Sequence, residues 1–285
     1  MHGKKLILVA GPTASGKSAT ALALARKNNG TVINADAMQV YEGLPILSAQ
    51  PKKTEQAAVP HLLYGILDPG TPSSAGKWLA LAHEAIADTL AAGRTPILTG
   101  GTGLYFRALL GGLAEIPPIP DETREKTKKM YETEGEENFR RALAELDPGS
   151  AEKLARNDRQ RLIRAYEVAA HTGKTLKEWH GLSPNALPET AIETHMLLPA
   201  RDDLYAACDK RFLTMLDHGA LAEAENFLKR GLDPALPAMK TIGLRELGAY
   251  LKKETTLDEA IAKARQATRN YAKRQMTWFR NQKLE

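Results

Sequence analysis

The sequence predicts an α/β fold: a parallel sheet core flanked by helices, with an all-helical insertion. Three observations predict it. Gly11-Pro12-Thr13-Ala14-Ser15-Gly16-Lys17-Ser18 fits the phosphate-binding P-loop pattern G-x-x-x-x-G-K-[ST] between a strand signal and a helix signal. Strand and helix signals alternate through the first third of the chain, as a helix-covered parallel sheet requires. Strand signals then vanish between two Pro-containing connectors and return after the second.

Lys5 to Ala10 is a short apolar run and reads as a buried strand. Ala19 to Lys27, rich in Ala and Leu, reads as the helix after the P-loop. Together they make a P-loop NTPase-like anion site, where backbone N–H groups point inward and the helix dipole adds partial positive charge. Lys17 can reach the terminal phosphates and the Ser18 hydroxyl can hold Mg²⁺. The motif alone leaves the phosphate compound open. Thr31 to Ala35 reads as a second strand ending at Asp36, and His61 to Leu67 as a further one. Ser74 to Ala92 reads as a helix closed by Gly93. Thr95 to Thr99 reads as a strand running into Gly100-Gly101-Thr102-Gly103. Ligands of such sheets sit beyond the C-terminal strand edges, where the P-loop, Asp36 and the Gly100 turn all fall.

Pro117, Pro118 and Pro120 make a stiff connector. From Asp121 to His180 the pattern is helical. Ser183-Pro184-Asn185 and Pro188 read as the return connector, and Thr190 to Leu198 as a strand. Helices follow at Asp202–His218, Leu221–Arg230, Gly243–Lys252 and Leu257–Asn281. The predicted organisation is a core of residues 1–114 and 190–285 with a helical insertion over 115–189.

Of the 285 residues, 43% are hydrophobic and 26% charged, which is ordinary for a globular protein. No apolar stretch approaches a membrane span. The first strand begins too early for a signal peptide, and the lone Cys208 excludes an internal disulfide and a Cys-based zinc cluster. A cytoplasmic, monomeric protein is expected. The net charge of +5 permits a polyanionic partner without demanding one. The insertion carries 13 Lys and Arg against 15 Asp and Glu, so any nucleic-acid contact there must be local. The last stretch of the chain sets Arg265, Arg269, Lys273, Arg274, Arg280 and Lys283 among Tyr271, Trp278 and Phe279. That pattern suits nucleic acid, or a helix whose aromatics pack and whose charges are solvated.

Several residues could carry chemistry. Asp36 could bind Mg²⁺ through water, take a proton from a nucleophile, or cap a helix. Gln39 offers a donor and an acceptor suited to an adenine edge. Thr102 could bind a ligand or cap the following helix. Arg161 and Arg164, three apart, share a helix face, and Arg156 and Arg159 add local charge. Arg201 and Arg211 flank the helix after the returning strand, and spacing does not choose between them.

These motifs together resemble the tRNA dimethylallyltransferase (tRNA isopentenyltransferase) family over nearly the whole chain. GPTASGKS at 11–18 matches its P-loop, and NADAMQVYEGL at 34–44 resembles its D-S-x-Q-x-Y element. GGTGLYFRALL (100–110), NDRQRLIRA (157–165), DKRF (209–212), IGLREL (242–247) and TRNYAKRQMTWFR (268–280) follow in order. The chain departs from the pattern at Ala37 for Ser, Gln50 for Lys and Leu244 for Tyr, which bears on substrate affinity more than on reaction class.

The resemblance implies transfer of a dimethylallyl group from dimethylallyl diphosphate to N6 of the adenosine 3′ to a tRNA anticodon. It implies catalytic roles for Asp36 as base, Thr102 and Arg211. The diphosphate falls to residues 11–18, with Mg²⁺ on Ser18. The tRNA falls to Asp36, Ala37, Met38, Gln39, Thr102, Arg124, Gln160, Arg161, Leu162, Ile163 and Arg164, the insertion gripping the anticodon stem-loop. A P-loop kinase acting on a small metabolite would share the P-loop and Asp36 and need no tRNA. A nucleotide-gated RNA-binding protein would bind without turnover.

Overall fold

A computed structural model describes residues 5–181, 191–282 and 284. The return connector around Ser183, Pro184, Asn185 and Pro188, together with Thr190 and Lys283, lies outside the described residues. The chain divides into two compact units, Met1–Leu110 with Leu187–Glu285, and Gly111–Ala186.

The first unit holds a parallel five-stranded sheet in the order β3-β2-β4-β1-β5. Its strands are β1 (Lys5–Ala10), β2 (Gly30–Asn34), β3 (His61–Leu62), β4 (Thr95–Gly100) and β5 (Ala191–Met196). β5 pairs with β1 in parallel register from Lys5↔Ala191 to Ala10↔Met196, so the chain returns after the helical unit to extend the same sheet. Successive side chains of a strand face opposite ways, and the three inner strands of this sheet are buried on both faces. Leu6, Leu8, Ile33 and Leu98 enter one core; Ile7, Val9, Val32 and Ile97 enter the other.

Helix α1 (Lys17–Lys27) covers the second face with Ala21 and Ala25. A short helix, α2, spans Lys53–Ala58. Helix α3 (Ala75–Ala91) starts at Ser74, whose hydroxyl accepts the Lys77 N–H, and buries Trp78 against the first face. The Trp78 indole donates to Asn34 O at 2.9 Å and stacks on Tyr105 of α4 (Gly103–Gly111), with ring centroids 4.1 Å apart. The strand expected over His61–Leu67 stops at Leu62. Leu63 (φ 65°) and Gly65 (φ 57°) turn the backbone out of the extended region, and only Leu67 regains a bridge, to Tyr41.

In the second unit, α5 (Asp121–Leu146) is broken at Gly135, and α6 (Pro148–Lys153), α7 (Arg159–Thr172) and α8 (Leu176–Gly181) follow. Its core is Phe139, Leu143, Ala151, Leu162 and Ala165. Arg140 ties α5 to the end of α6 through the carbonyls of Ala151, Leu154 and Ala155.

The first unit closes with α9 (Arg201–Asp217), α10 (Ala220–Leu228), α11 (Leu244–Leu251) and α12 (Leu257–Arg280). Thr256 and Glu259 form a capping box that starts α12. Phe279 is buried edge-to-face on Phe106. Two of the basic residues on α12, Arg265 and Arg269, form ion pairs with Asp209 of α9, each at 2.7 Å. The aromatic and basic pattern of this helix is therefore used in part for packing.

Candidate active site

The P-loop joins β1 to α1 with two left-handed residues, Ala14 (φ 62°) and Gly16 (φ 88°). Gly16 precedes the first turn of α1 and leaves its N–H groups without a side-chain cap, as an anion-binding helix start requires. Lys17 folds back so that its ammonium donates to Pro12 O at 3.0 Å. Burial lowers the Lys17 pKa to about 8; Asp36 opposes the shift and Arg211 adds to it. One carboxylate and two cations thus share an electrostatic neighbourhood.

Asp36 follows β2 in a turn. Its N–H donates to Asn34 Oδ1 at 2.8 Å, and its Oδ1 accepts the Met38 N–H at 3.0 Å. The carboxylate therefore caps a turn, and the helix-cap reading is corrected: no helix follows until α2. Thr102 Oγ1 accepts the Ala37 N–H at 2.9 Å, so its oxygen serves the Asp36 loop rather than the first turn of α4. The glycines before it are required by space: a Cβ at Gly100 would lie 2.0 Å from Ala35 O.

Asp36, Thr13, Cys208, Arg211, Tyr271 and Arg274 line one cavity of about 280 Å³. A second cavity of about 920 Å³ carries Ser18, Gln39, Ile46 and Tyr64, and Arg211 and Met215 line both. Arg211 is the arginine of α9 that faces the site. Arg201 instead stacks over Tyr205 at 5.1 Å. Burial lowers the Arg211 pKa while Asp36 raises it, and among the described residues Arg211 has no ion pair within 4.0 Å. Burial pushes the Tyr271 phenol well above its usual range, and the Asp36 charge adds to the shift.

Gln39 does not offer the free donor–acceptor pair expected of it. Its amide nitrogen donates to Ser48 O and Ala49 O, both at 2.9 Å, leaving only the acceptor. Gln50, at the position of the departure from Lys, donates to Tyr41 O at 2.7 Å. Gln275 of α12 was not legible as a site residue. It is 5% exposed, accepts the Thr13 N–H at 2.8 Å and donates to Gly101 O at 2.8 Å. An amide on the stripe of α12 that buries Thr268, Ala272 and Met276 was the available signal.

The residues present suit Mg²⁺ bound with a diphosphate. Ser15 Oγ is buried without a hydrogen-bond partner among the described residues, and Ser18 stands exposed in the first turn of α1. No group of three His, Cys, Asp or Glu among those residues could cage a cation. Small hard cations in phosphate sites take most of their oxygens from substrate and water, so this sparse donor set fits.

In the helical unit, Arg161 and Arg164 lie on α7 and line a separate cavity with Gln160, Lys177 and His180. Each faces an acid, Arg161 with Asp158 at 3.2 Å and Arg164 with Glu167 at 3.7 Å. Arg124, half exposed, lies 3.5 Å from Asp121. Leu162 is fully buried and Ile163 packs beside it. The Leu162 side chain is therefore turned into the core of the helical unit.

Strand order, loop and cavity define the class: a P-loop α/β protein in which Thr13 of the loop, Asp36 and Arg211 line one cavity. Residues 39–282 match the family model described as IPP transferase, and residues 4–69 the one described as isopentenyl transferase. The chain is 50% identical over 282 residues to a tRNA dimethylallyltransferase of Caulobacter sp. (strain K31), covering 99% of this chain and 91% of that protein. It is 49% identical to the enzyme of that name from Phenylobacterium zucineum, over 98% of this chain and 90% of the other. Two of the solved structures that resemble it cover nearly the whole chain. One is the full-length tRNA isopentenylpyrophosphate transferase of Bacillus halodurans, with TM-score 0.69, 34% identity, and coverage of 98% of this chain and 88% of that one. The other is a eukaryotic dimethylallyltransferase acting on tRNA, with TM-score 0.84, 29% identity, and coverage of 97% and 70%. The chain belongs to the IPP transferase family.

Proposed function

We propose that this chain transfers the dimethylallyl group of dimethylallyl diphosphate to N6 of the adenosine 3′-adjacent to the anticodon of tRNA. The observation that carries the reading is the cavity that Thr13 of the P-loop, Asp36 and Arg211 line together, with the Lys17 charge near enough to act on Asp36 and Arg211. The N6 lone pair forms a bond to C1 of the allylic group as the C1–O bond breaks. The bonding pair leaves on the diphosphate oxygen, and Asp36 takes the N6 proton.

A neutral amine is a weak nucleophile, so most of the barrier is met at the leaving group. In this reading Lys17, Arg211 and the P-loop N–H groups meet the negative charge that develops on the diphosphate, in a site of reduced dielectric. Ser18 would hold Mg²⁺, which when bound neutralises diphosphate charge. Thr102 holds the Asp36 loop through Ala37. An adenine in a stacked anticodon loop must leave its stack to reach an enclosed electrophile, so base flipping belongs to this reading. Arg124, Gln160, Arg161 and Arg164 supply the contacts to the stem-loop, with Leu162 and Ile163 packed beneath them. The protein acts in the cytoplasm as a monomer. Among the described residues, no helix is long and apolar enough to cross a membrane.

The test is incubation with unmodified tRNA and labelled dimethylallyl diphosphate, with and without EDTA. The expected result is Mg²⁺-dependent label at the adenosine 3′ to the anticodon. Label-free RNA in the presence of Mg²⁺ would overturn the reading.

A further inference from the structure

Gln275 lies 262 residues from Thr13 and 174 from Gly101 along the chain, yet it touches both of the loops that carry them. Its Oε1 accepts the Thr13 N–H inside the P-loop, and its Nε2 donates to Gly101 O in the turn after β4. The side chain is almost entirely buried. The next residue after Gly101, Thr102, accepts the Ala37 N–H beside Asp36. Gly101 is matched to the amide: a Cβ there would fall 2.2 Å from Gln275 Nε2.

We propose that Gln275 is a positioning residue that sets the separation between the diphosphate cradle and the Asp36 base by pinning Thr13 to Gly101. The inference rests on the reaction proposed above. A primary amide is suited to the task because it offers one acceptor and one donor on a planar, short-ranged group. A glutamate would keep the acceptor and lose the donor; a methionine would fill the space and lose both. One amide serves both loops, so removing it loosens both backbones together. The bridge is made to main-chain atoms and works whatever side chains flank Thr13 and Gly101. Misplacement of reacting groups by about 1 Å from a site outside the chemistry can cost about 10²-fold in rate.

The experiment compares the full-length parent with Gln275→Met. Circular dichroism and melting establish the fold. Calorimetry with inorganic pyrophosphate reads the cradle alone. Single-turnover transfer at saturating donor and tRNA reads the geometry of the base against the donor. The expected result for folded Gln275→Met is a loss of about 10²-fold in the saturated rate, with tRNA affinity held and pyrophosphate affinity reduced. A merely structural amide would lower the melting temperature and leave the saturated rate of the folded fraction intact. A loss of tenfold or more supports the proposal, and any smaller loss in a folded variant overturns it. If Gln275→Met does not fold, Gln275→Glu takes its place under the same criterion, since it keeps an acceptor for Thr13. A parent that binds pyrophosphate but transfers no label would remove the reaction instead, and the two failures are distinct.

Discussion

Thr102 Oγ1 accepts the Ala37 N–H at 2.9 Å, joining the turn after β4 to the loop that carries Asp36. The bond explains why a hydroxyl follows the two glycines. Those glycines let the turn approach Ala35 closely, and the hydroxyl then satisfies the backbone donor that the approach would otherwise orphan. Thr102→Val keeps the shape and removes the acceptor. Leaving a shielded N–H unpaired costs about 1–3 kcal/mol, and Ala37 is only partly buried, so the lower end applies. The variant should melt slightly lower and lose up to about 10²-fold in kcat through misplacement of the base, while Thr102→Ser should restore both. Equal kcat for Val and Ser would remove the hydroxyl from the mechanism.

Asp36→Asn tests the base. The amide keeps an oxygen for the Met38 N–H, so the turn survives, but it cannot take a proton. Single-turnover transfer should fall about 10²–10⁴-fold with tRNA affinity retained. Near-parental single-turnover rates would reassign the residue to binding.

Lys17 gives a pH prediction. Burial brings its pKa down to about 8, so the ammonium is charged below that value and neutral above it. Pyrophosphate is attracted to the charged form. Affinity should therefore fall as pH rises through about 8, relative to Lys17→Arg, whose guanidinium stays charged. The ratio of the two affinities, measured by calorimetry from about pH 6 to about pH 10 so as to bracket both the shifted and the ordinary lysine range, cancels the titration of pyrophosphate itself. A flat ratio would contradict the assignment.

Arg161 pairs with Asp158 near the surface, a contact worth roughly 0–1 kcal/mol, whereas Arg164 pairs with the buried Glu167, whose carboxylate would lose its partner. Removing Arg161 should leave the melting temperature nearly unchanged, and removing Arg164 should lower it, so affinity is compared on the folded double variant. tRNA affinity should weaken, and the salt dependence should become shallower by roughly 0.9 in log–log slope for each phosphate that no longer meets an arginine. Identical salt curves for parent and double variant would confine these arginines to pairing with Asp158 and Glu167.

Leu162, between them in sequence, should behave oppositely. It is fully buried with Phe139, Leu143 and Ala165. Leu162→Ala should cost about 2–5 kcal/mol of stability in urea unfolding monitored in the helical unit. Weaker tRNA binding without loss of stability would show that its surroundings tolerate the cavity and that the residue acts at the surface.

Much of the site was legible because its signals are local. A P-loop is eight consecutive residues whose glycines and lysine act on one anion, and Asp36 is two residues past the end of β2. Ser74 and Gly93 bracket α3 for the same reason: caps act over one turn. The strand predicted to run to Leu67 failed where positive φ values at Leu63 and Gly65 ended it, because apolar content alone does not distinguish a strand from a packed turn.

By itself the sequence determined the phosphate loop, the α/β alternation, the helical insertion and the family. Each depends on residues close together in the chain or on ordered motifs. Tertiary structure decided which distant partners those elements meet. β5 joins β1 after the whole helical unit, Arg211 rather than Arg201 reaches the cavity, and Asp209 occupies two of the basic residues on α12. Gln39 spends its donors on Ser48 and Ala49, and Gln275 bridges Thr13 to Gly101. Hydrogen bonds and ion pairs act over about 3 Å, so a side chain's role follows from its neighbours in space, and folding alone supplies those neighbours.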